Sequence, residues 1–159
     1  MPIEIERKFL VEGDSWRRRA GPGRRFCQGH VTRGGANTVR IRRADDRAYI
    51  TVKGERSGIA RPEFEYEIPV DDAEEMLRTL CTKPLVEKTR YCVWHEGMEW
   101  EVDVFEGDAE GLVIAEIELS RSDQSFDMPE WLGVEVTHDP RYRNSRIVQD
   151  AAGAWEFAP

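Results

Sequence analysis

The chain has 159 residues, room for one domain and too few for two of ordinary size, and 34% of them are charged against 40% hydrophobic. Five Trp together with Val, Ile, Leu and Phe suffice for a core, which excludes global disorder. The net charge of −8 argues against a non-specific nucleic-acid or anionic-membrane binder, yet residues 1–61 carry +8 and residues 62–159 carry −16.

The first residues place acids where a signal peptide needs an apolar stretch, and no segment approaches the ~20 apolar residues of a membrane span, so a soluble cytoplasmic protein is expected. Cys27, Cys81 and Cys92 are odd in number without Cys-x-x-Cys spacing, which indicates neither a disulfide framework nor a zinc site. One domain over residues 1–159 is expected.

Two-residue alternation, the mark of strands with unlike faces, recurs in about eight segments up to residue 119. Residues 2–11 set Ile3, Ile5, Phe9 and Val11 against Glu4, Glu6 and Lys8, with Arg7 the exception on the apolar side. Residues 26–32 form a weaker strand interrupted by Gly29, with Gln28 and His30 on one face. A hairpin follows: residues 38–43 oppose Val39 and Ile41 to Arg40 and Arg42, and after Asp45-Asp46 the chain sets Ala48, Ile50 and Val52 against Tyr49, Thr51 and Lys53. Residues 63–70 oppose Phe64, Tyr66 and Ile68 to Glu63, Glu65 and Glu67.

The spacing of Ala73, Met76, Leu77 and Leu80 predicts an amphipathic helix over 71–81, with Asp72 and Glu75 resembling a capping box. Beyond Pro84, residues 85–94 carry Lys88 and Arg90 on one parity, and a turn at Glu96-Gly97 leads into residues 98–105. There Met98, Trp100, Val102 and Val104 oppose Glu99, Glu101 and Asp103. Residues 112–119 set Val113, Ala115, Ile117 and Leu119 against Glu116 and Glu118. Past residue 120 the pattern is mixed, with a helical turn at 129–132, an extended piece at 134–137 and a terminal helix at 144–152.

A merely solvated sheet face would use Ser, Thr and Gln freely, whereas these polar faces carry pairs of like charge: Glu4/Glu6, Arg40/Arg42, Glu65/Glu67, Lys88/Arg90 and Glu116/Glu118. Like charges at i and i+2 lie about 7 Å apart and mildly destabilise a strand unless a ligand or opposite charge sits between them. Eight strands can close a barrel with the charges inward, its apolar exterior covered by the helix, the residues around Trp16 and the Trp-bearing tail. Each unpaired buried ion costs several kcal/mol, so such an interior must answer to something. Clustered carboxylates suit hard divalent cations, and clustered Arg and Lys suit phosphoryl groups, so the two together point to a metal-bound polyphosphate.

Glu4-Ile5-Glu6-Arg7-Lys8 resembles the Glu-x-Glu-x-Lys signature of the CYTH superfamily, the triphosphate tunnel metalloenzymes. Its company strengthens the resemblance: Arg40-Ile41-Arg42, Lys53, Glu65-Tyr66-Glu67, Glu87-Lys88-Thr89-Arg90-Tyr91, Asp103, Glu116-Ile117-Glu118 and Arg141-Tyr142-Arg143-Asn144 follow in family order. The resemblance implies a mainly β (α+β) fold: a closed eight-stranded antiparallel barrel forming a charged tunnel, with a few peripheral helices. It further implies hydrolysis of inorganic triphosphate to pyrophosphate and phosphate with two ions of Mg²⁺ or Mn²⁺.

Carried over by residue, Glu4, Glu6, Asp103, Glu116 and Glu118 are the expected metal ligands, and Lys8, Arg40, Arg42, Lys53, Lys88, Arg90 and Arg143 the expected phosphate clamp. Lys8, His30, Glu65 and Glu67 are the expected catalytic set, with His30 standing where bacterial relatives often carry Tyr in a dyad with the lysine matching Lys8. His30 could equally be a spacer or a donor to phosphate. Rival readings are a nucleoside or thiamine triphosphatase, a class IV-type adenylyl cyclase, and a non-catalytic polyphosphate- or nucleotide-binding module. The expected partner is a small-molecule triphosphate, with no nucleic acid and no membrane, and a homodimer is compatible with such a barrel.

Overall fold

The computed structural model describes residues 2–32, 35–144 and 146–147. Eight strands form an antiparallel sheet: β1 (Ile3–Val11), β2 (Arg24–His30), β3 (Thr38–Ala44), β4 (Arg47–Lys53), β5 (Ala60–Ile68), β6 (Val86–His95), β7 (Met98–Glu106) and β8 (Val113–Glu118). Their order is β5-β4-β3-β2-β6-β7-β8-β1, and Ile3, Glu4 and Ile5 of β1 pair with Pro62, Arg61 and Ala60 of β5 to close the barrel. A ninth strand, β9 (Leu132–Glu135), continues along the same edge of β1, opposite Phe9 and Val11. The closed eight-stranded antiparallel barrel that the alternation allows and the family resemblance implies is the architecture observed.

Strand parity places the side chains. The apolar parity of β1, β6, β7 and β8 faces outward, where Phe9, Val93, Trp100, Val102, Ala115 and Ile117 pack under Trp16 and Trp131. Phe126 completes that cover by meeting Phe9 and Trp100 edge-on at 6.4 and 5.5 Å. On β3 and β4 the outward Ile41 and Ala48 are covered by Ala73 and Leu77 of helix α1 (Val70–Thr79). Arg43 and Glu74 form an ion pair between β3 and α1. Gly29 interrupts β2 for a packing reason: a Cβ there would lie 2.8 Å from both Cys81 Cβ and Leu85 Cδ2.

The polar parity faces inward. Along β1, β6, β7 and β8 the inward charges give way to Leu10, Val86, Phe105 and Ile114, which join Val136, Tyr142 and Ile147 in an apolar cluster that fills part of the barrel interior.

Several boundaries differ from the sequence expectation. Strand β5 begins at Ala60 because residues 60–62 hydrogen-bond to β1, a partner more than fifty positions away that local alternation cannot reveal. It ends at Ile68 because Pro69 lacks an N–H for the ladder. The Pro69 carbonyl accepts the first helical bond from Ala73 N, so the N-cap is Pro69 and no capping box forms at Asp72. Strand β2 runs from Arg24 to His30, two residues earlier than expected at each end. Residues 129–132 make a turn closed by Leu132 N to Pro129 O, and β9 starts at Leu132. The peripheral helices among the described residues are α1 and three short 3-10 segments, while most of the expected terminal helix lies outside the described residues.

Candidate active site

The charged interior encloses a cavity of about 310 Å³ lined by nine Lys or Arg and seven Glu side chains. Glu4, Glu6 and Lys8 enter it from β1, Glu116 and Glu118 from β8, Arg40 and Arg42 from β3, Lys53 from β4, Glu65 from β5, Arg90 from β6 and His30 from β2. Arg143, from the segment after β9, also reaches it. Most of the expected residues therefore converge, because each sits on the inward parity of its strand.

The carboxylate wall is β1 against β8, where Glu6 pairs with Glu118 and Lys8 with Glu116 across the ladder. Lys8 Nζ lies 3.8 Å from Glu116 and 4.0 Å from Glu6, and donates to the carbonyl of Tyr142 at 3.4 Å. Burial together with the negative charges of Glu116 and Glu4 pushes Glu6 up to about 8. Burial acts in the same direction on Glu116, but Lys8 and Arg90 outweigh it and bring Glu116 down to about 2. One member of this crowded set thus carries the charge and its neighbour holds a proton. Burial raises Glu4 and Glu118 as well.

Among the described residues no three carboxylates form a preformed metal cluster. The donors still fit a hard divalent cation. They are all oxygen ligands, their mutual repulsion would be relieved by two positive charges, and Mg²⁺ usually takes only one or two carboxylates, completing its shell with water and substrate phosphate.

The basic wall is β3 with its neighbours. Arg40 donates to Thr51 Oγ1 at 3.1 Å and lies 3.5 Å from Glu65. Arg42 donates from Nε to Gln28 Oε1 at 2.8 Å. Lys53 bridges Glu4 at 3.0 Å and Glu63 at 3.3 Å. The Nε atoms of Arg40 and Arg143 are buried without a hydrogen-bond partner among the described residues, donors that a phosphate oxygen would satisfy.

His30 belongs to this basic wall. Burial first, then Arg40, Lys53, Arg42 and Arg61, bring its pKa down to about 4, so the ring is neutral at physiological pH.

Three expected residues sit elsewhere. Lys88 and Asp103 have no solvent exposure and lie behind the cavity wall. Lys88 Nζ meets Asp103 Oδ2 at 2.6 Å, while Arg90 grips the same carboxylate through Nε at 2.7 Å and Nη2 at 2.9 Å. Both Asp103 oxygens are thereby engaged. Burial would raise Asp103, but Arg90 and Lys88 hold it far below the usual carboxylate range, and burial lowers Lys88 to about 7. Glu67 is exposed near Arg47 at 3.9 Å and does not line the cavity.

The sequence reading passed over Arg24, Arg56, Arg61, Glu63 and Glu101, all of which line the cavity. Glu101 shares the parity of Asp103, and its Oε2 accepts a hydrogen bond from Arg90 Nη1 at 3.0 Å. Arg61 and Glu63 share the parity of Glu65, and Arg24 that of Gln28 and His30, so alternation extended by two residues finds four of the five. Arg56 stands in the loop between β4 and β5, where no periodicity points to it.

Among the described residues no helix is long and apolar enough to cross a membrane. The family model described as the CYTH domain matches residues 2–147. An inorganic triphosphatase of Acetivibrio thermocellus is 50% identical over 150 residues, covering 94% of this chain and 96% of that protein. An inorganic triphosphatase of Nitrosomonas europaea is 38% identical over 152 residues, covering 91% and 95%. A crystal structure of an inorganic triphosphatase aligns with a TM-score of 0.65 at 34% identity over 96% of each chain. A Pyrococcus horikoshii protein, 20% identical over 76% of this chain and 81% of its own, shares the fold with a TM-score of 0.58. With the family model spanning nearly the whole chain and the signature carboxylates and cations gathered in one barrel interior, the chain belongs to the CYTH domain family.

Proposed function

We propose that the protein hydrolyses inorganic triphosphate to pyrophosphate and phosphate in the barrel interior, with Mg²⁺ or Mn²⁺, two ions per site, as cofactor. The observation that carries the reading is the facing of a carboxylate wall and a basic wall across one cavity. The 50% identical relative and its named activity support it.

Glu6, Glu116 and Glu118 would hold the first ion, and Glu4 would contribute to a second. Bound there, a divalent ion supplies neutralisation of charge on the phosphoryl oxygens. Arg40, Arg42, Lys53, Arg90 and Arg143 bind the remaining phosphate charge, and the unpartnered Nε–H groups of Arg40 and Arg143 donate to phosphate oxygens. Lys8, whose Nζ lies between Glu6 and Glu116, would carry a positive charge from the carboxylate wall to the phosphate.

Water attacks the terminal phosphorus, the bond to the bridging oxygen breaks, and pyrophosphate leaves carrying the electron pair. Glu4 and Glu65 would orient that water; both line the cavity, whereas Glu67 and Asp103 do not. Asp103 acts instead as the anchor of Arg90 and of Lys88, which supports the clamp from behind the wall. His30, neutral among cations, serves as a hydrogen-bonding group for substrate rather than as the proton carrier.

The test is phosphate release with Mg²⁺ or Mn²⁺ on inorganic triphosphate, pyrophosphate, ATP and thiamine triphosphate, with cyclic AMP followed in parallel. Preference for inorganic triphosphate is expected. A strong preference for ATP with cyclic product, or tight binding without turnover of any substrate, would overturn the reading.

A further inference from the structure

Four cations surround one aromatic ring in the barrel. The ring of Phe26, on β2 and 3% exposed, lies 4.5 Å from the Arg42 guanidinium carbon and 5.1 Å from that of Arg90. Arg24 lies at 5.5 Å and Lys88 Nζ at 5.9 Å. These are cation–π distances, and the attraction to a ring face strengthens when the partners are desolvated.

The charges on the ring are neutralised unequally. Lys88 and Arg90 share Asp103, but Arg42 has only the neutral Gln28 as hydrogen-bond partner, and among the described residues no carboxylate forms an ion pair with it. Burial, Arg40 and Arg90 act against its charge and outweigh the more distant attraction of Asp103 and Glu65, neither of which forms an ion pair with it. A carboxylate beside Arg42 would fix the side chain and also cancel the charge that a polyanion needs. A quadrupole fixes the side chain and leaves the net charge intact.

We infer that Phe26 is a positioning residue of the phosphate clamp, holding Arg42 and Arg90 in place through its ring faces while leaving Arg42 uncancelled for the substrate. The inference rests on the triphosphate reading above. It goes beyond packing, because a ring of the same shape with a weaker quadrupole fills the same space without attracting the cations.

The test is a fluorination series at Phe26, incorporating mono-, di-, tri- and pentafluorophenylalanine, with Phe26→Leu and Phe26→Tyr beside it. KM for inorganic triphosphate is expected to rise with each fluorine to about tenfold, with kcat within about twofold of the parent. Phe26→Leu should match the fluorinated end, and Phe26→Tyr, whose ring keeps its quadrupole, should stay near the parent. A flat series, or equal loss of kcat and kcat/KM tracking the unfolded fraction, would overturn the inference. If Phe26→Leu does not fold, the fluorinated proteins decide alone. Calorimetric binding of inorganic triphosphate to the metal-free protein follows the same series without turnover. A parent that binds but does not hydrolyse therefore refutes the hydrolase reading only, and a parent that does neither refutes both.

Discussion

Asp103→Asn removes one negative charge from a site without solvent exposure and leaves Lys88 and Arg90 facing an amide that can accept through one oxygen only. The three contacts at risk are the Lys88 bond at 2.6 Å and the two Arg90 bonds at 2.7 and 2.9 Å. Removing one partner of a buried ion pair costs about 3–5 kcal/mol, because the remaining charges stay buried and uncompensated. At roughly 2–4 °C per kcal/mol for a chain of this size, the midpoint should fall by about 10 °C. Urea unfolding at pH 7 measures the loss directly, and a double-mutant cycle with Lys88→Met isolates its cause. The double variant strands one cation fewer, so it should be more stable than the sum of the single changes requires. The cation concentration for half-maximal activity should not move, since Asp103 is an anchor. A loss below about 1 kcal/mol, which is the scale of an exposed pair, would refute the reasoning. So would a raised cation requirement at unchanged stability, which would return Asp103 to the metal site.

Three further outcomes follow from the same structure. In the absence of divalent ions Glu6 keeps its proton up to about 8 when folded and releases it near the ordinary glutamate value of 4.5 when unfolded, so stability should fall as pH rises from 4.5 to 8. Thermal denaturation in chelator should show that slope, Glu6→Gln should flatten it, and a slope unchanged by the substitution would refute the assignment. His30 titrates at about 4, so the pH profile of kcat/KM should carry no limb near 6.5 from this residue, and His30→Ala should keep the parent's profile between pH 5.5 and 9. Loss of a limb in that window would make His30 a proton carrier. Leu77→Ala on α1, where the side chain is 5% exposed, should cost about 2–5 kcal/mol in urea unfolding while KM stays unchanged, and a KM shift would mean that α1 positions the site.

Much of the site was legible because a strand has only two faces. Glu4, Glu6 and Lys8, or Arg40 and Arg42, must point the same way whatever the fold, and the apolar residues between them must point the other way. Local periodicity does not say which face is inside, and inward charge became the better reading only when eight such strands were considered together. Partners across the barrel were invisible for a different reason. The closure of β5 on β1 brings Arg61 opposite Glu4, and neither sequence neighbourhood carries a trace of the other.

The same limit explains the individual roles. Glu65 and Glu67 have identical alternation, yet Glu65 lies in the cavity lining and Glu67, two residues further along β5, is exposed beside Arg47. Lys88 and Arg90 are likewise a matched pair in sequence, but Asp103 on the adjacent strand takes Lys88 out of the cavity and leaves Arg90 reaching both the carboxylate and the lining. Alternation along each strand dictates which side chains share a face and therefore which charges travel together. Which of them neutralise one another and which stand uncompensated toward a ligand is set by the closed barrel, because ion pairing depends on distances across strands that periodicity along a strand does not encode.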